Sequence, residues 1–269
     1  MQNKATVSLT GVPETMLWPL HHRVAFSRRD PSLLMDPLAQ SVLDGIDYDF
    51  EGHFGKANVG HAIRARYSDD LIRDFCEAGG ESAIVVALGE GLETQAWRVN
   101  KPNQWISVDL PESIAVRQKF LPAQSHHTYI SRSALDTTWI DELPDHERIF
   151  ISAAGLLMYF EESAVKELLT TIGQRLPGAE LFFDCIPPMF SARSMKGMKV
   201  TPKYTAPQMP WGISLDSVPG FLESCGWQTL VAQTYAHPFP KYMKPYLWLS
   251  KIGPIRRRLA PSLVHARAG

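Results

Sequence analysis

Residues 82–91 have the sequence SAIVVALGEG, and this stretch decides the fold. The short apolar run, rich in β-branched residues, predicts a strand that is buried on both faces, as the strands of parallel sheets are. The run ends in Gly89, Glu90 and Gly91. In an open α/β sheet, ligands bind beyond the carboxyl ends of the strands. The stretch therefore predicts a sheet strand that leads into a ligand-binding turn.

Short apolar segments recur after this strand, most of them separated by segments of helix length. The further predicted strands are 105–110, 127–131, 148–154, 179–186, 227–235 and 245–252. Strands and helices that alternate in this way predict a doubly wound α/β sheet of about seven strands with helices on both faces. The last two strands are close enough in sequence to pair as an antiparallel hairpin at one edge.

Two regions differ from this pattern. Residues 1–80 are rich in Leu, Met and His, and they predict a helical cap that precedes a core at 81–269. Residues 187–218 carry many prolines and methionines together with Trp211, and they predict a lid or binding loop without strands. We expect residues 1–269 to form a single domain.

The composition is that of an ordinary globular chain, with 45% apolar and 20% charged residues among 269. Lys and Arg number 27 against 28 Asp and Glu, and the net charge of -1 argues against nucleic acid as a partner. Cys76, Cys185 and Cys225 are too far apart for a disulfide framework, and they predict reduced thiols in the cytoplasm. We find no signal peptide or membrane-spanning run and expect no membrane partner. The sequence leaves the oligomeric state open.

The glycine turn and the next predicted strand together indicate a cofactor. Asp109 ends that strand about twenty residues after Gly89, which suits an acid that accepts hydrogen bonds from ribose hydroxyls. Thr94 stands where a dinucleotide fingerprint requires a third small residue, and Glu90 would repel a phosphate group. S-adenosylmethionine, which contains adenosine but no phosphate, fits these residues best. An NAD-dependent oxidoreductase and a cofactor-binding protein without catalysis remain the alternatives.

Five segments of the chain form an ordered set of motifs. They are HAIRARYSDD (61–70), ALGEGLETQAWRV (87–99), SVDLPE (107–112), SALDTTW (133–139) and AAGLLMYF (153–160). Three shorter matches are SLTGVPETMLWPL (8–20), DPLAQ (36–40) and MPWG (209–212). The set resembles the leucine carboxyl methyltransferase family, and the shorter matches resemble its bacterial branch of polyketide-type O-methyltransferases. The resemblance implies a class I, Rossmann-like methyltransferase fold and S-adenosylmethionine-dependent methylation of an oxygen atom.

The resemblance also implies the cofactor contacts. Arg64 would bind the methionyl carboxylate of the cofactor in a charge-assisted, bidentate contact. Gly89 and Gly91 would lie under the methionyl end. Asp109 would bind the ribose, and Leu135 would lie at the adenine edge.

Some of these assignments have alternatives or departures. Arg66 is the alternative to Arg64, two residues further along the same helix. The family commonly has an aspartate where this chain has Ala134, so a side-chain contact to the adenine amine depends on Asp136. It commonly has a glutamate where this chain has Ala154, which leaves the role of that carboxylate unassigned.

The resemblance indicates carboxyl methylation. A carboxylate acceptor is ionised at neutral pH and needs no general base, whereas a phenolic or other hydroxyl acceptor, the alternative, would need one. The candidate catalytic or orienting residues are Tyr159, His21, His22 and Arg23. No metal site is predicted, because the rings of adjacent histidines point apart. The composition of 187–218 favours a small acceptor with an apolar or aromatic body.

Overall fold

A computed structural model of the chain describes residues 4–7, 9–79, 83–99, 104–244, 251–254 and 259–269. The strands in these ranges are β1 (Ala5–Thr6), β2 (Ile46–Asp47), β3 (Ala83–Leu88), β4 (Gln104–Asp109), β5 (His127–Ser131), β6 (Arg148–Ala153), β7 (Glu180–Cys185), β8 (Lys199–Thr201), β9 (Tyr204–Thr205), β10 (Trp227–Thr234) and β11 (Ser262–Ala268). Seven of them, β3 to β7 with β10 and β11, form the central sheet.

The central sheet has the strand order β10-β11-β7-β6-β3-β4-β5. Strands β3 to β7 are parallel to one another, whereas β11 runs antiparallel to its two neighbours, β7 and β10. The chain moves outward from β3 to β5 and then returns to the other side of β3 with β6. Such a reversal creates the crevice at which open α/β sheets bind ligands. The sheet therefore predicts a site beyond the carboxyl ends of β3 and β6.

Helices cover both faces of this sheet. The described helices are α1 (Leu17–Arg29), α2 (Pro37–Gly45), α3 (Phe50–Phe54), α4 (Gly60–Gly79), α5 (Gln95–Val99), α6 (Pro111–Phe120), α7 (Glu162–Arg175), α8 (Pro188–Ser194) and α9 (Val218–Glu223). Val85 of β3 belongs to the same apolar cluster as Phe75 of α4, whereas Val86 belongs to the cluster of Leu168 on α7. Because successive strand side chains point to opposite faces, β3 is buried on both sides, as its sequence predicts.

Helices α1 to α4 lie in the region for which the sequence predicts a cap. Met16, Leu17 and Leu20 share an apolar cluster with Leu92 after β3 and Met158 after β6. Helix α1 and the residue before it therefore pack over the carboxyl edge of the sheet, whereas α4 covers one of its faces. None of the helices in the described ranges combines the length and the apolar character needed to cross a membrane.

The segment predicted to be a lid without strands contains regular structure. Helix α8 lies near its start, and β8 pairs with β9 as a short antiparallel hairpin. Trp211 is 2% exposed and packs against Phe183 and Phe221 in the core. Trp211 is therefore part of the core and not of a surface that a lid would present to an acceptor, because the sheet and α9 enclose its ring.

The seventh strand of the sheet is not where the sequence placed it. Most of the strand predicted at 245–252 lies outside the described residues, and 251–252 form a turn and a bend. Strand β11 instead occupies the place beside β7. Its sequence, SLVHARA, mixes apolar and charged residues because Arg267 pairs with Glu180 of β7 at 2.8 Å. Because of this mixture, a pattern of apolar runs does not predict the strand.

Candidate active site

A cavity of about 630 Å³ lies beyond the carboxyl ends of β3, β4 and β6. We call the part formed by the turns after β3, β4 and β5 the sheet wall, with Gly89, Gly91, Asp109 and Ala134. The part contributed by the cap and by the segments after β6 and β7 is the cap wall, with Trp18, His61, Tyr159, Phe190 and Met209. Arg64 of α4 also lines the cavity.

The turn after β3 depends on two glycines. Gly89 and Gly91 have φ angles of 59° and 53°, in the left-handed region that residues with a Cβ rarely adopt. A Cβ on Gly89 would lie 2.5 Å from Cδ1 of Leu156, and a Cβ on Gly91 would lie 2.7 Å from Cβ of Met16. At these two positions the turn therefore presents backbone, not a side chain, to the cavity.

Asp109 ends β4 and is 8% exposed. Its Oδ2 accepts the amide N–H of Gly91 at 2.8 Å, and its Oδ1 accepts the amide N–H of Leu110 at 2.8 Å. Burial raises the pKa of Asp109, although these two backbone donors act in the opposite direction. The carboxylate fixes the glycine turn, and its remaining lone pairs are available to a ligand in the cavity.

Arg64 is fixed by residues from other parts of the chain. Its Nη1 donates to Oδ2 of Asp184 at 3.1 Å, and both side chains are nearly buried. The same carboxylate accepts the hydroxyl of Tyr235 at 2.7 Å and the amide N–H of Gly155 at 2.5 Å. Burial alone would lower the pKa of Arg64, but the charge of Asp184, its hydrogen bond to Arg64 and the neighbouring Tyr235 and Glu93 together outweigh burial and raise it. A permanent cation therefore lines the cavity.

The structure separates Arg64 from its sequence alternative. Arg66 pairs with Asp70 one turn along α4, at 2.8 Å, and it is not part of the cavity lining. Asp184 and Tyr235, which both line the cavity, were missed by sequence reasoning. Asp184 lies near the carboxyl end of the apolar strand β7, as Asp109 does in β4. That shared position is the signal that could have identified Asp184 from the sequence.

The structure does not bring the two predicted adenine contacts into the cavity lining. Leu135 is 39% exposed, and Asp136 caps the following 3-10 helix by accepting the amide N–H of Thr138. Ser133 and Ala134, immediately before them, do line the cavity. The roles of Leu135 and Asp136 toward a cofactor stay predictions.

Two residues used to argue against a dinucleotide have structural partners. Glu90 is buried beside Arg117, whose Nη2 lies 3.0 Å from Oε2, and Ser107 donates to the same oxygen. Because Arg117 compensates its charge, the expected repulsion of phosphate by Glu90 is not supported. Thr94 is buried and donates its hydroxyl to Asp36 at 2.7 Å. Thr94, at the third position of the glycine pattern, thus links the segment after β3 to Asp36 in the cap region.

Arg23, one of the predicted orienting residues, belongs to a buried ion network under the cap. Its guanidinium lies 3.3 Å from Asp36 and 3.0 Å from Glu93. Arg98 pairs with the same two carboxylates at 2.7 and 2.6 Å, and with Asp69 at 2.7 Å. Arg23 lines the cavity, but its charge is already shared with these carboxylates.

Tyr159 and His21 differ in their access to the cavity. Tyr159 lines it, and burial raises the pKa of the Tyr159 hydroxyl. His21 is not part of the lining, and its Nε2 lies 3.2 Å from the carbonyl oxygen of Gly55. Within the described residues, no three potential ligands are grouped as a metal site would require.

His22 contacts a histidine that sequence reasoning missed. Its Nδ1 lies 2.8 Å from Nδ1 of His61, and Trp18 donates its indole N–H to Nε2 of His22 at 3.1 Å. Burial, assisted by His21, lowers the pKa of His22 to about 3. Burial also lowers the pKa of His61, so both rings are neutral at neutral pH. His61 lies three residues before Arg64 and therefore on the same side of α4, which is the signal that could have identified it.

The rest of the cap wall is apolar. Phe190 of α8 and Met209 line the cavity. Met189 and Met195, at the two ends of the same helical segment, are 53% and 42% exposed. Flexible thioether and aromatic side chains of this kind adapt to flat apolar ligands.

The residues present fit S-adenosylmethionine. An anchored arginine can bind its α-carboxylate, a turn without side chains leaves space for its methionyl chain, and an acid at the next strand end can accept its ribose hydroxyls. These residues meet beside β3, where the strand order reverses. The sheet has seven strands, and the last of them in the chain, β11, is inserted antiparallel beside β7. Fold and site together define a class I S-adenosylmethionine-dependent methyltransferase.

The chain belongs to the leucine carboxyl methyltransferase family, whose model matches residues 17–173. It is 32% identical over 235 residues to the tetracenomycin polyketide synthesis O-methyltransferase of Streptomyces glaucescens, covering 84% of this chain and 86% of that protein. A candidate S-adenosylmethionine-dependent methyltransferase of Mycolicibacterium gilvum is 24% identical over 257 residues, covering 79% of this chain and 83% of that protein.

The fold is also similar to that of the N-methyltransferase NodS of Bradyrhizobium japonicum in complex with S-adenosylhomocysteine. The TM-score is 0.47 at 13% identity, and the match covers 86% of this chain and 96% of that one. The family match and the sequence relatives confirm three predictions: the family, the class I fold and S-adenosylmethionine-dependent O-methyltransferase activity.

Proposed function

We propose that the protein transfers a methyl group to a carboxylate of a small, apolar or aromatic metabolite of the polyketide type. The observation that carries this proposal is that the acidic side chains beside the cap wall already have partners. Asp184 accepts hydrogen bonds from Arg64 and Tyr235, and Glu93 pairs with Arg23. Neither is available to take a proton from a hydroxyl, and a carboxylate acceptor does not require one.

Two further groups support the same choice. Because burial raises the pKa of Tyr159, its hydroxyl keeps its proton at neutral pH and donates rather than abstracts. His61 uses its Nδ1 in the contact with His22. The described lining thus favours an acceptor that arrives already ionised over a hydroxyl that must lose a proton.

The cofactor roles belong to the sheet wall and α4. Arg64 binds the methionyl carboxylate, with Asp184 holding the guanidinium at one nitrogen. The backbone of Gly89 and Gly91 makes room for the methionyl chain. Asp109 accepts the ribose hydroxyls, and the segment that begins at Ser133 borders the adenine.

When bound, the cofactor would supply a methyl group on a positively charged sulfur, and transfer of that group to the carboxylate oxygen would leave S-adenosylhomocysteine and a methyl ester. The protein holds the two reactants in line and excludes water. The apolar side chains of the cap wall serve this second task, because an anion and a cation attract each other more strongly away from water.

The similarity to a tetracenomycin polyketide synthesis O-methyltransferase supports a polyketide-type acceptor. The same proposal includes one methyltransferase domain over residues 1–269, a cap at 1–80, a lid at about 187–218 and a cytoplasmic setting. The near-neutral net charge of -1 and three buried cysteines agree with a small-molecule partner and reduced thiols.

The test uses two acceptors that share one ring system, 2-naphthoic acid and 2-naphthol. Purified protein is incubated with S-adenosylmethionine labelled in its methyl group, and the product is treated with mild alkali. We expect label in the acid's product, lost in alkali as esters hydrolyse. Calorimetry with S-adenosylhomocysteine and NAD accompanies it and should show binding of the first alone.

Two results would replace the proposal. Alkali-stable label from 2-naphthol, with a rate that rises as the hydroxyl ionises, would make a hydroxyl the acceptor. Binding of NAD without binding of S-adenosylhomocysteine would exclude the methyltransferase assignment for the cavity altogether.

A further inference from the structure

Three aromatic rings form a hydrogen-bonded chain that ends at the cavity. The indole nitrogen of Trp18 lies 3.1 Å from Nε2 of His22, and Nδ1 of His22 lies 2.8 Å from Nδ1 of His61. Trp18 and His61 both line the cavity, whereas His22 is 1% exposed. The chain therefore has one buried central ring and a terminal ring with access to a ligand.

The indole of Trp18 determines which nitrogen donates and which accepts in each of these hydrogen bonds. An indole N–H can donate but cannot accept, so Nε2 of His22 must be an acceptor. A neutral imidazole carries one proton, and His22 must therefore hold it on Nδ1. Nδ1 of His61 is then the acceptor of the second hydrogen bond. His61 must hold its own proton on Nε2, the ring nitrogen that His22 does not occupy.

The surroundings keep both rings neutral, so each ring carries a single proton. Burial and then His21 lower the pKa of His22. Burial and then His22, Arg64 and Arg23 lower the pKa of His61. Arg64 and Arg23 are cations, and a proton on one ring would make it a cation beside the other, so each disfavours a second proton on the pair.

We propose that the Nε2–H of His61 binds the acceptor's carboxylate and selects it over a hydroxyl, with Trp18 and His22 as positioning residues that fix the tautomer. This inference rests on the proposed methyl transfer to a carboxylate. His61 lies one turn of α4 from Arg64, so the donor stands next to the residue assigned to the cofactor's methionyl end. A fixed N–H can bind a carboxylate oxygen but cannot accept the proton that a hydroxyl must lose.

The tautomers can be measured without any knowledge of the acceptor. In ¹⁵N-labelled protein, long-range ¹H–¹⁵N spectra distinguish a protonated from an unprotonated ring nitrogen. We expect the proton on Nδ1 in His22 and on Nε2 in His61. In Trp18→Phe the constraint on His22 is removed, and the spectrum should show both tautomers of His61. A proton on Nδ1 of His61 in the wild-type protein would overturn the inference.

The functional test compares two substitutions of the same residue. His61→Leu removes the donor, whereas His61→Gln places an amide N–H near the position of Nε2. With 2-naphthoate, kcat/KM should fall on the order of 10- to 100-fold in His61→Leu, as for a lost hydrogen bond to a charged group. Most of that activity should return in His61→Gln. The affinity for S-adenosylhomocysteine, measured by calorimetry, should be unchanged in both.

The controls separate this inference from the proposal beneath it. If wild-type protein binds S-adenosylhomocysteine and methylates 2-naphthoate, but His61→Leu keeps its kcat/KM, only the role of His61 is wrong. If wild-type protein forms an alkali-stable product from 2-naphthol instead, the proposed function fails first. Should His61→Leu not fold, Trp18→Phe provides the same comparison, since it should lower kcat/KM for the acid and raise the relative rate with the naphthol.

Discussion

The two walls of the cavity are built in different ways. The sheet wall consists of glycine backbone and the carboxylate of Asp109, together with other turn residues, at strand ends that are fixed by the pairing of β3, β4 and β5. The cap wall consists of side chains that come from α1, α4, α8 and the segments between them. The first is a polar surface suited to one constant ligand. The second is an aromatic and apolar surface that can change residue by residue, so we assign the cofactor to the first and the acceptor to the second.

The largest effect is expected where the two walls meet, at Arg64. In Arg64→Ala, the buried Asp184 loses its cationic partner, which costs about 3–5 kcal/mol of folding free energy for a broken buried pair. The hydrogen bonds from Tyr235 and Gly155 remain and favour the lower end of this range. Urea unfolding measures the loss, and calorimetry should show no binding of S-adenosylhomocysteine.

Arg66→Ala is the matched control for Arg64→Ala. Arg66 and Asp70 form a partly exposed pair on the same helix, and such pairs contribute about 0–1 kcal/mol. Cofactor affinity should not change. Equal losses of stability in the two variants would show that the ion pair of Arg64 with Asp184 is not the buried anchor described above.

The next effect tests the sheet wall alone. Asp109→Asn removes a charge that accepts backbone amides and, in our proposal, ribose hydroxyls. Hydrogen bonds to charged groups contribute about 1.5–3 kcal/mol, so the affinity for S-adenosylhomocysteine should fall on the order of 10- to 100-fold.

Asp136→Asn makes the corresponding change at the end of the neighbouring segment. Its carboxylate caps a 3-10 helix and is absent from the cavity lining, which favours an unchanged affinity. A loss comparable to that of Asp109→Asn would support the sequence prediction that Asp136 contacts adenine, and would extend the sheet wall to this residue.

The sheet wall could be predicted from the sequence because each of its residues follows its own strand at a short distance. Gly89 and Asp109 are identified by an apolar run and the residue type after it, without knowledge of the packing. The contact between His22 and His61 spans 39 residues and depends on how α1 lies against α4, which no local pattern encodes. Strand β11 was missed for a related reason, since its charged residues are explained only by their partner on β7.

The response to acid compares His22 of the cap with His127, which begins β5 and whose Nε2 lies 2.7 Å from the hydroxyl of Ser107 on β4. Burial lowers the pKa of both His22 and His127 to about 3, from an unfolded value near 6.5. The unfolded chain therefore binds protons that the folded chain cannot, and stability is complete above pH 6.5 and is lost as the pH falls toward 3. Each residue should contribute a loss of about 2 kcal/mol between pH 7 and pH 5.

Urea unfolding at a series of pH values, with His22→Phe and His127→Phe, measures these contributions separately. Each variant should lose less stability than the wild-type protein between pH 7 and pH 5. If only His22→Phe does so, the acid response belongs to the cap. No change of slope in either variant would contradict the burial of neutral rings on both sides.

The last comparison concerns the turn after β3, where Gly91 lies against Met16, the residue just before α1. In Gly91→Ala, the new Cβ would lie 2.7 Å from Cβ of Met16, just before α1, and the residue would keep a φ of 53°. Gly178→Ala imposes a similar left-handed conformation, at a φ of 78°, but its Cβ would meet open space. Left-handed strain costs about 1–2 kcal/mol in each variant, so any further loss in Gly91→Ala measures the displacement of the cap from the sheet.

We expect that further loss of stability for Gly91→Ala in urea unfolding, together with a higher KM for the acceptor. Equal stabilities would mean that Met16 moves without cost, and that the cap wall is less firmly seated on the glycine turn than their close approach indicates.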